Sequence, residues 1–119
     1  MKKIIHVDNS EFFRKLVKSH LENEGFEVAS YGNTQDANMA IGSELISMVI
    51  MGLTFTDARG EDFLNKILES FAGPVVVISA SVDDKKKKDL LLKGVAAAIN
   101  KSSPWQQFLK PHLSALKQG

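Results

Sequence analysis

No cysteine occurs among the 119 residues, and there are only three prolines and one tryptophan. Without cysteine there is no disulfide framework, and Met1-Lys2-Lys3 leads into too short an apolar run for an export signal, so the expected compartment is the cytoplasm. No apolar run approaches the roughly 20 residues of a membrane span. Excess charge of one sign is also missing: the net charge of +1 argues against nucleic acid or a membrane surface as the main partner. No stretch rich in proline, glycine and serine marks a linker, and there is no internal repeat. At this length there is room for one core spanning residues 1–119.

What is present alternates. Ile4 to Val7 is a short apolar run that stops at Asp8-Asn9-Ser10, and Phe13, Leu16, Val17 and Leu21 follow at helical spacing. Ser10 or Asn9 can cap this helix, and Gly25 supplies the left-handed stop, predicting a helix over about 11–23. A weak strand over Phe26–Ser30 precedes a modest helix capped by Thr34 and carrying Ala37, Met39, Ala40 and Ile41. Ile46 to Met51 is nearly all apolar, as a strand covered on both faces should be. Gly60 then opens a helix with Phe63, Leu64, Ile67 and Leu68 on one side. Pro74 begins the clearest strand, Val75–Ile78, which Ser79-Ala80-Ser81 ends. A lysine-rich helix over about 83–93, a strand over 95–99 and a helix from Pro104, capped by Ser102 or Ser103, complete the chain.

Five strands alternating with five helices predict a doubly wound α/β fold, a five-stranded parallel sheet with helices on both faces. In such sheets function gathers beyond the carboxyl ends of the strands, near the point where strand order reverses. The residues at those ends are Asp8 and Asn9, Gly52 and Thr54, Ser79, and Lys101. His6, in a central strand, has neither a cysteine nor a second histidine at metal-binding spacing and reads as a neutral core residue. The four lysines Lys85 to Lys88 sweep around their helix at about 100° per residue, so most are expected in solvent. Pro111 falls inside the last helical pattern, where a kink or break is expected. Phe108 is expected in the core, while Trp105 fits either the core or a docking surface.

Val7-Asp8-Asn9-Ser10, Gly52-Leu53-Thr54, Asp57-Ala58-Arg59-Gly60 leading into Phe63-Leu64, Val77-Ile78-Ser79-Ala80, and Gly94 through Lys101 together resemble the receiver domains of two-component response regulators, those of the chemotaxis type included. The resemblance runs the length of the chain and implies the flavodoxin-like receiver fold. It also implies a role for each strand-end residue. Asp8 matches the first of the acidic pair that holds a divalent cation, and Asn9 replaces the second. Gly52 stands at the phospho-acceptor position, where it offers no nucleophile. Thr54, Ser79 and Lys101 match the phosphoryl-pocket positions, Ala98 the switching aromatic, and Ser102 the proline usual after the lysine. With Asp8 as the remaining carboxylate, magnesium binding is expected to be weak or absent, and no other cofactor is implied. Lys101, without its usual partner, is expected to turn to Asp8, to a strand-end carbonyl or to water.

The expectation is therefore a degenerate receiver, or pseudo-receiver, that is not an enzyme and acts through protein interaction. Its partners would be a histidine kinase, another regulator or a fused output domain if the chain is part of a longer regulator. Homodimerisation would use the face of the fourth helix, fifth strand and fifth helix, with Lys86, Leu90, Lys93, Ala98 and Trp105 on it. Two alternatives keep phosphate chemistry. In one, a non-standard acceptor such as Asp57 is phosphorylated. In the other, a haloacid-dehalogenase-like phosphatase uses Asp8 as nucleophile, although Ser10 stands where its general acid belongs. A flavin or nucleotide binder would need a phosphate loop after the first strand, where Glu11 and Phe12 stand instead.

Overall fold

A computed structural model describes all of Met1–Gly119. The elements are β1 (Lys3–Val7), α1 (Glu11–Asn23), β2 (Glu27–Tyr31), α2 (Thr34–Ser43), β3 (Met48–Met51), α3 (Gly60–Ser70), β4 (Val75–Ser79), α4 (Asp84–Lys93), β5 (Ala97–Asn100) and α5 (Trp105–Gln118). All four strand pairings are parallel, in the order β2-β1-β3-β4-β5. The chain moves outward one way from β1 to β2 and then returns past β1 to β3. That reversal sets the carboxyl ends of β1 and β3 side by side, just beyond Val7 and Met51, at the switch point where such sheets gather function.

Side-chain alternation along the strands divides the core into two layers. Ile5, Val7, Val49, Met51, Val75 and Val77 face α2, α3 and α4, where Ala37, Phe63, Leu64, Ile67 and Leu90 meet them. Ile4, Met48, Ile50, Val76, Ile78 and Ile99 face α1 and α5, against Phe13, Val17, Leu21, Trp105, Leu109 and Leu113. Because both layers are filled, β3 and β4 have no exposed position, which is why their sequences read as continuous apolar runs.

Local chemistry sets the ends. Ser10 Oγ accepts from the Phe13 amide and caps α1, and Gly25 takes φ 94° after it, as expected. At α2 the cap is Asn33, whose side chain accepts from the Asp36 amide. Thr34, the expected cap, is the first helical residue instead. Its amide and hydroxyl donate to the Asp57 carboxylate, which also accepts from the Gln35 amide. Asp83 is likewise a cap, accepting from the Lys86 amide, so α4 begins one residue later than expected. No serine caps α5: Ser103 Oγ donates to the Asn100 carbonyl, and Pro104 stands at the helix entrance.

Four side chains depart from the expected pattern, and one left open is resolved, in ways the packing explains. Helix α5 continues through Pro111 to Gln118. Losing one backbone bond costs about 3 kcal/mol, and burial of the Trp105, Leu109 and Leu113 stripe on the sheet offsets it. Trp105 belongs to the core, 5% exposed, with edge-on contacts to Phe13 and His20, each at 5.4 Å between ring centres. Phe108, one position off that stripe, is 52% exposed and not a core residue. Leu16 and Met39 similarly fall outside the buried stripes of α1 and α2.

Truncation separates these two aromatic roles. Trp105→Ala is expected to lower unfolding stability by about 3–5 kcal/mol, whereas Phe108→Ala should change it by less than about 1 kcal/mol. Urea unfolding of the two variants checks the assignment; equal losses would contradict it.

Candidate functional site

Asp8 follows β1, Gly52 follows β3, Ser79 ends β4 and Lys101 follows β5. The sheet therefore carries them to one edge. Asp8 is only 2% exposed, yet its carboxylate is satisfied: the Ser10 amide donates to Oδ1 at 2.8 Å, and Lys101 Nζ lies 2.9 Å from Oδ2. The Lys101 ammonium also sits 4.4 Å from the centre of the Phe13 ring, whose π-face favours a cation. Of the three destinations open to Lys101, the structure selects Asp8. An ion pair this sheltered gains little over two apolar groups, but removing one partner costs about 3–5 kcal/mol where the other stays buried. Lys101 retains a quarter of its side-chain exposure, which moderates the cost when Asp8 is the partner removed.

Gly52 lies beside this pair. A Cβ built there would stand 2.9 Å from Asp8 Oδ2, 3.6 Å from Asp8 Cγ and 3.7 Å from the Ile78 carbonyl oxygen. Its backbone has no positive φ, so conformation does not demand glycine; the Asp8 carboxylate fills the space a side chain would need.

Ser79 is buried, and its hydroxyl is shared with Ser81: the two oxygens are 3.1 Å apart and the Ser81 amide reaches Ser79 Oγ at 3.3 Å. Thr54 does not join the cluster. It is exposed and lines a separate hollow of about 370 Å³ with Phe55, Arg59, Ser81 and Lys86. In that hollow Lys86 pairs with Glu61, and the contact holds the Glu61 carboxyl below its usual range and the Lys86 ammonium above its own. Asn9 is exposed. Asp57 stands at the start of α2; burial works against its charge, but the hydrogen bonds from Thr34 and Gln35 outweigh it and hold the carboxyl below the usual range.

Of Asp8, Asn9 and Gly52, Asp8 alone carries a carboxylate. Nowhere do three or more His, Asp or Glu side chains gather with metal-binding geometry. Asp8 has both carboxylate oxygens engaged, Gly52 has no donor, and the Lys101 ammonium occupies the position next to Asp8 Oδ2 where a cation would compete.

The model of the response regulator receiver domain matches residues 4–111. The chain belongs to that family. The regulatory protein VanRc of Enterococcus gallinarum is 29% identical over 85 residues, 71% of this chain but only 37% of that protein, so the receiver spans about a third of its relative's length. Among solved structures, a CheY-like receiver from Methanospirillum hungatei superposes with a TM-score of 0.85 at 20% identity, covering 99% of this chain and 95% of that one. The receiver domain of Francisella response regulator 1452 gives 0.88 at 16% identity, covering 99% and 98%. At such identities the likeness concerns the fold.

Several contributors to the receiver's pocket were not singled out from sequence. Arg14 donates to the Asp8 carbonyl at 2.6 Å, and Asn100 clasps two segments, donating to the Val82 carbonyl at 2.9 Å and accepting from the Ser102 amide at 2.8 Å. Phe13 was legible only as an apolar helix position. Three of the five side chains expected on the interaction face also need correction. Leu90 is 1% exposed because it plugs the α2–α4 layer, Ala98 is covered by the same layer, and Trp105 packs in the opposite layer under α1. Lys93 is exposed and Lys86 half-buried.

His6 lies behind the pair with no exposure, and neither ring nitrogen has a hydrogen-bond partner. Burial pushes its pKa down to about 4; Asp8 works against the shift, while Lys101 and Arg14 add to it. An unfolded histidine near 6.5 binds a proton that the folded one refuses, so this contribution is complete above pH 6.5 and is lost as pH falls toward 4. The slope is about 1.4 kcal/mol per pH unit, roughly 3 kcal/mol across the window. His6→Leu should flatten the stability profile between pH 6.5 and 4, measured by urea unfolding; an unchanged slope would show that His6 is not its source.

Proposed function

We propose that this receiver is a pseudo-receiver: a two-component signalling domain that does not accept a phosphoryl group, is not an enzyme, and acts in the cytoplasm by protein interaction. One observation carries the reading. At the position where receivers hold the acceptor carboxylate, Gly52 presents a bare α-carbon, and the Asp8 carboxylate leans into the vacated space to pair with Lys101. Phosphoryl transfer needs an in-line nucleophile and a cation to neutralise developing charge; this pocket supplies an internal ion pair in place of both.

The alternatives gain nothing from the geometry. Asp57 spends its oxygens on the first-turn donors of α2, away from Lys101. As a phosphatase nucleophile, Asp8 would have to leave both of its partners, and Ser10 contributes a cap and not a general acid.

Interaction would run through the side of the domain made by α4, β5 and α5. A groove of about 440 Å³ lies there, lined by Ala97, Leu91 and Phe108. The surface members of this face are Lys87, Leu91, Phe108 and His112 in place of Leu90 and Trp105. A histidine kinase, another regulator, a linked output domain or a second copy of the chain are the partner classes it would serve.

Incubation with acetyl phosphate and magnesium, followed by intact-mass measurement, should show no acid-labile phosphoryl adduct. An adduct would overturn the proposal, and its mapping to Asp57 would establish the non-standard acceptor. Magnesium offers an independent check. A ligand at a hundred times its Kd stabilises by about 2.7 kcal/mol, whereas millimolar magnesium should leave the melting temperature unchanged; a rise abolished by Asp8→Ala would contradict the reading.

A further inference from the structure

The Asp8–Lys101 pair does more than satisfy two charges, because its lysine belongs to the turn between β5 and α5. That turn is anchored through the Lys101 amide, which donates to the Ser79 carbonyl at 3.1 Å, and through Asn100, whose backbone carbonyl accepts from the Ser103 amide at 3.0 Å. The Asn100 side chain extends the connection to Val82, at the entrance to α4. On the other side, Phe13 lies under the Lys101 ammonium and against Trp105, the first residue of α5. Asp8 and α1 thus meet at the ammonium itself, while the end of β4, the α4 entrance and the α5 entrance are tied to the same turn through the Lys101 amide, Asn100 and the Phe13–Trp105 contact.

Gly52 leaves the room this arrangement uses. The nearest atom to a Cβ at position 52 is the Asp8 oxygen that binds Lys101, and at 2.9 Å that oxygen must move. Asp8 cannot slide far, since its Oδ1 holds the Ser10 amide and its side chain is enclosed.

We propose that the Asp8–Lys101 pair, permitted by the bare α-carbon of Gly52, is a built-in latch that fixes the β5–α5 turn and holds the α4–β5–α5 side in one arrangement. Gly52 is then a positioning residue, and side chains at 52 act by opening the latch. In a switchable receiver the lysine answers to a phosphoryl group; here it answers permanently to Asp8. The inference rests on the pseudo-receiver reading, and the two fail separately, since latch and chemistry have different readouts.

Hydrogen exchange of the Lys101, Ser102 and Ser103 amides reads the latch in the intact chain. Gly52→Ala and Lys101→Met should each raise exchange there about tenfold over the wild type, with exchange at the centre of β4 much less affected. Because both changes break the same contact, the Gly52→Ala/Lys101→Met variant should exchange no faster than Lys101→Met alone. Wild-type exchange in Gly52→Ala, or increases that multiply in the double variant, would overturn the latch. Should Gly52→Ala not fold, Asp8→Asn removes the charge without adding bulk: exchange matching Lys101→Met supports the latch, and unaltered exchange rejects it. Wild-type protein that takes no phosphate while these variants leave the turn unaffected would refute the latch and leave the pseudo-receiver reading standing.

Discussion

Parallel strands cannot be joined by tight turns, and each crossover lays a helix over the sheet, so both faces of β1, β3 and β4 are shut off from water. This one constraint governs where polar chemistry can be. Within these strands nearly every side chain is apolar and fully enclosed, and a polar residue is tolerated inside only when satisfied or neutral. His6 meets the second condition, its charge suppressed by burial. Everything else polar is driven to the strand ends, at the reversal of strand order between β1 and β3. Asp8, Gly52, Ser79 and Lys101 converge because the topology has no other place for them.

Among those strand-end residues the balance is set by desolvation. A carboxylate as enclosed as Asp8 is costly unless its charge is matched and its oxygens accept hydrogen bonds. The Ser10 amide and the Lys101 ammonium meet both requirements, and Phe13 shelters the ammonium from the other side. The lysine stands beside Asp8 Oδ2, where any other cation would compete with it. The buried carboxylate therefore takes the lysine as its partner.

The sequence was most legible where burial is extreme. The apolar runs of β3 and β4 and the stripes of α1 and α3 could be read directly, because two-sided burial and one-sided burial leave different periodicities. Misreadings cluster where two local solutions compete. Asn33 and Thr34 are both competent caps, and Asp57, distant in sequence, takes the Thr34 donors and leaves the cap to Asn33. Pro111 carries a strong local signal for a break, overridden by burial of residues on both sides of it. Trp105 and Phe108 are both large aromatics on one helix, and the packing of α5 on the sheet puts Trp105, with Leu109 and Leu113, on the buried side.

By itself the sequence determined the alternation of strands and helices, hence the parallel doubly wound fold, and it determined which residue types stand at the strand ends. Periodicity and turn chemistry are properties of neighbouring residues, so they survive reading along a line. Only the tertiary structure decided that Lys101 pairs with Asp8, that Asp8 occupies the space above Gly52, that Thr54 lies apart, and that Leu90 and Trp105 are enclosed while Phe108 is exposed. Those outcomes depend on distances between segments remote in sequence. They are fixed by the packing of α1, α4 and α5 on the sheet, which brings one ammonium within reach of one carboxylate.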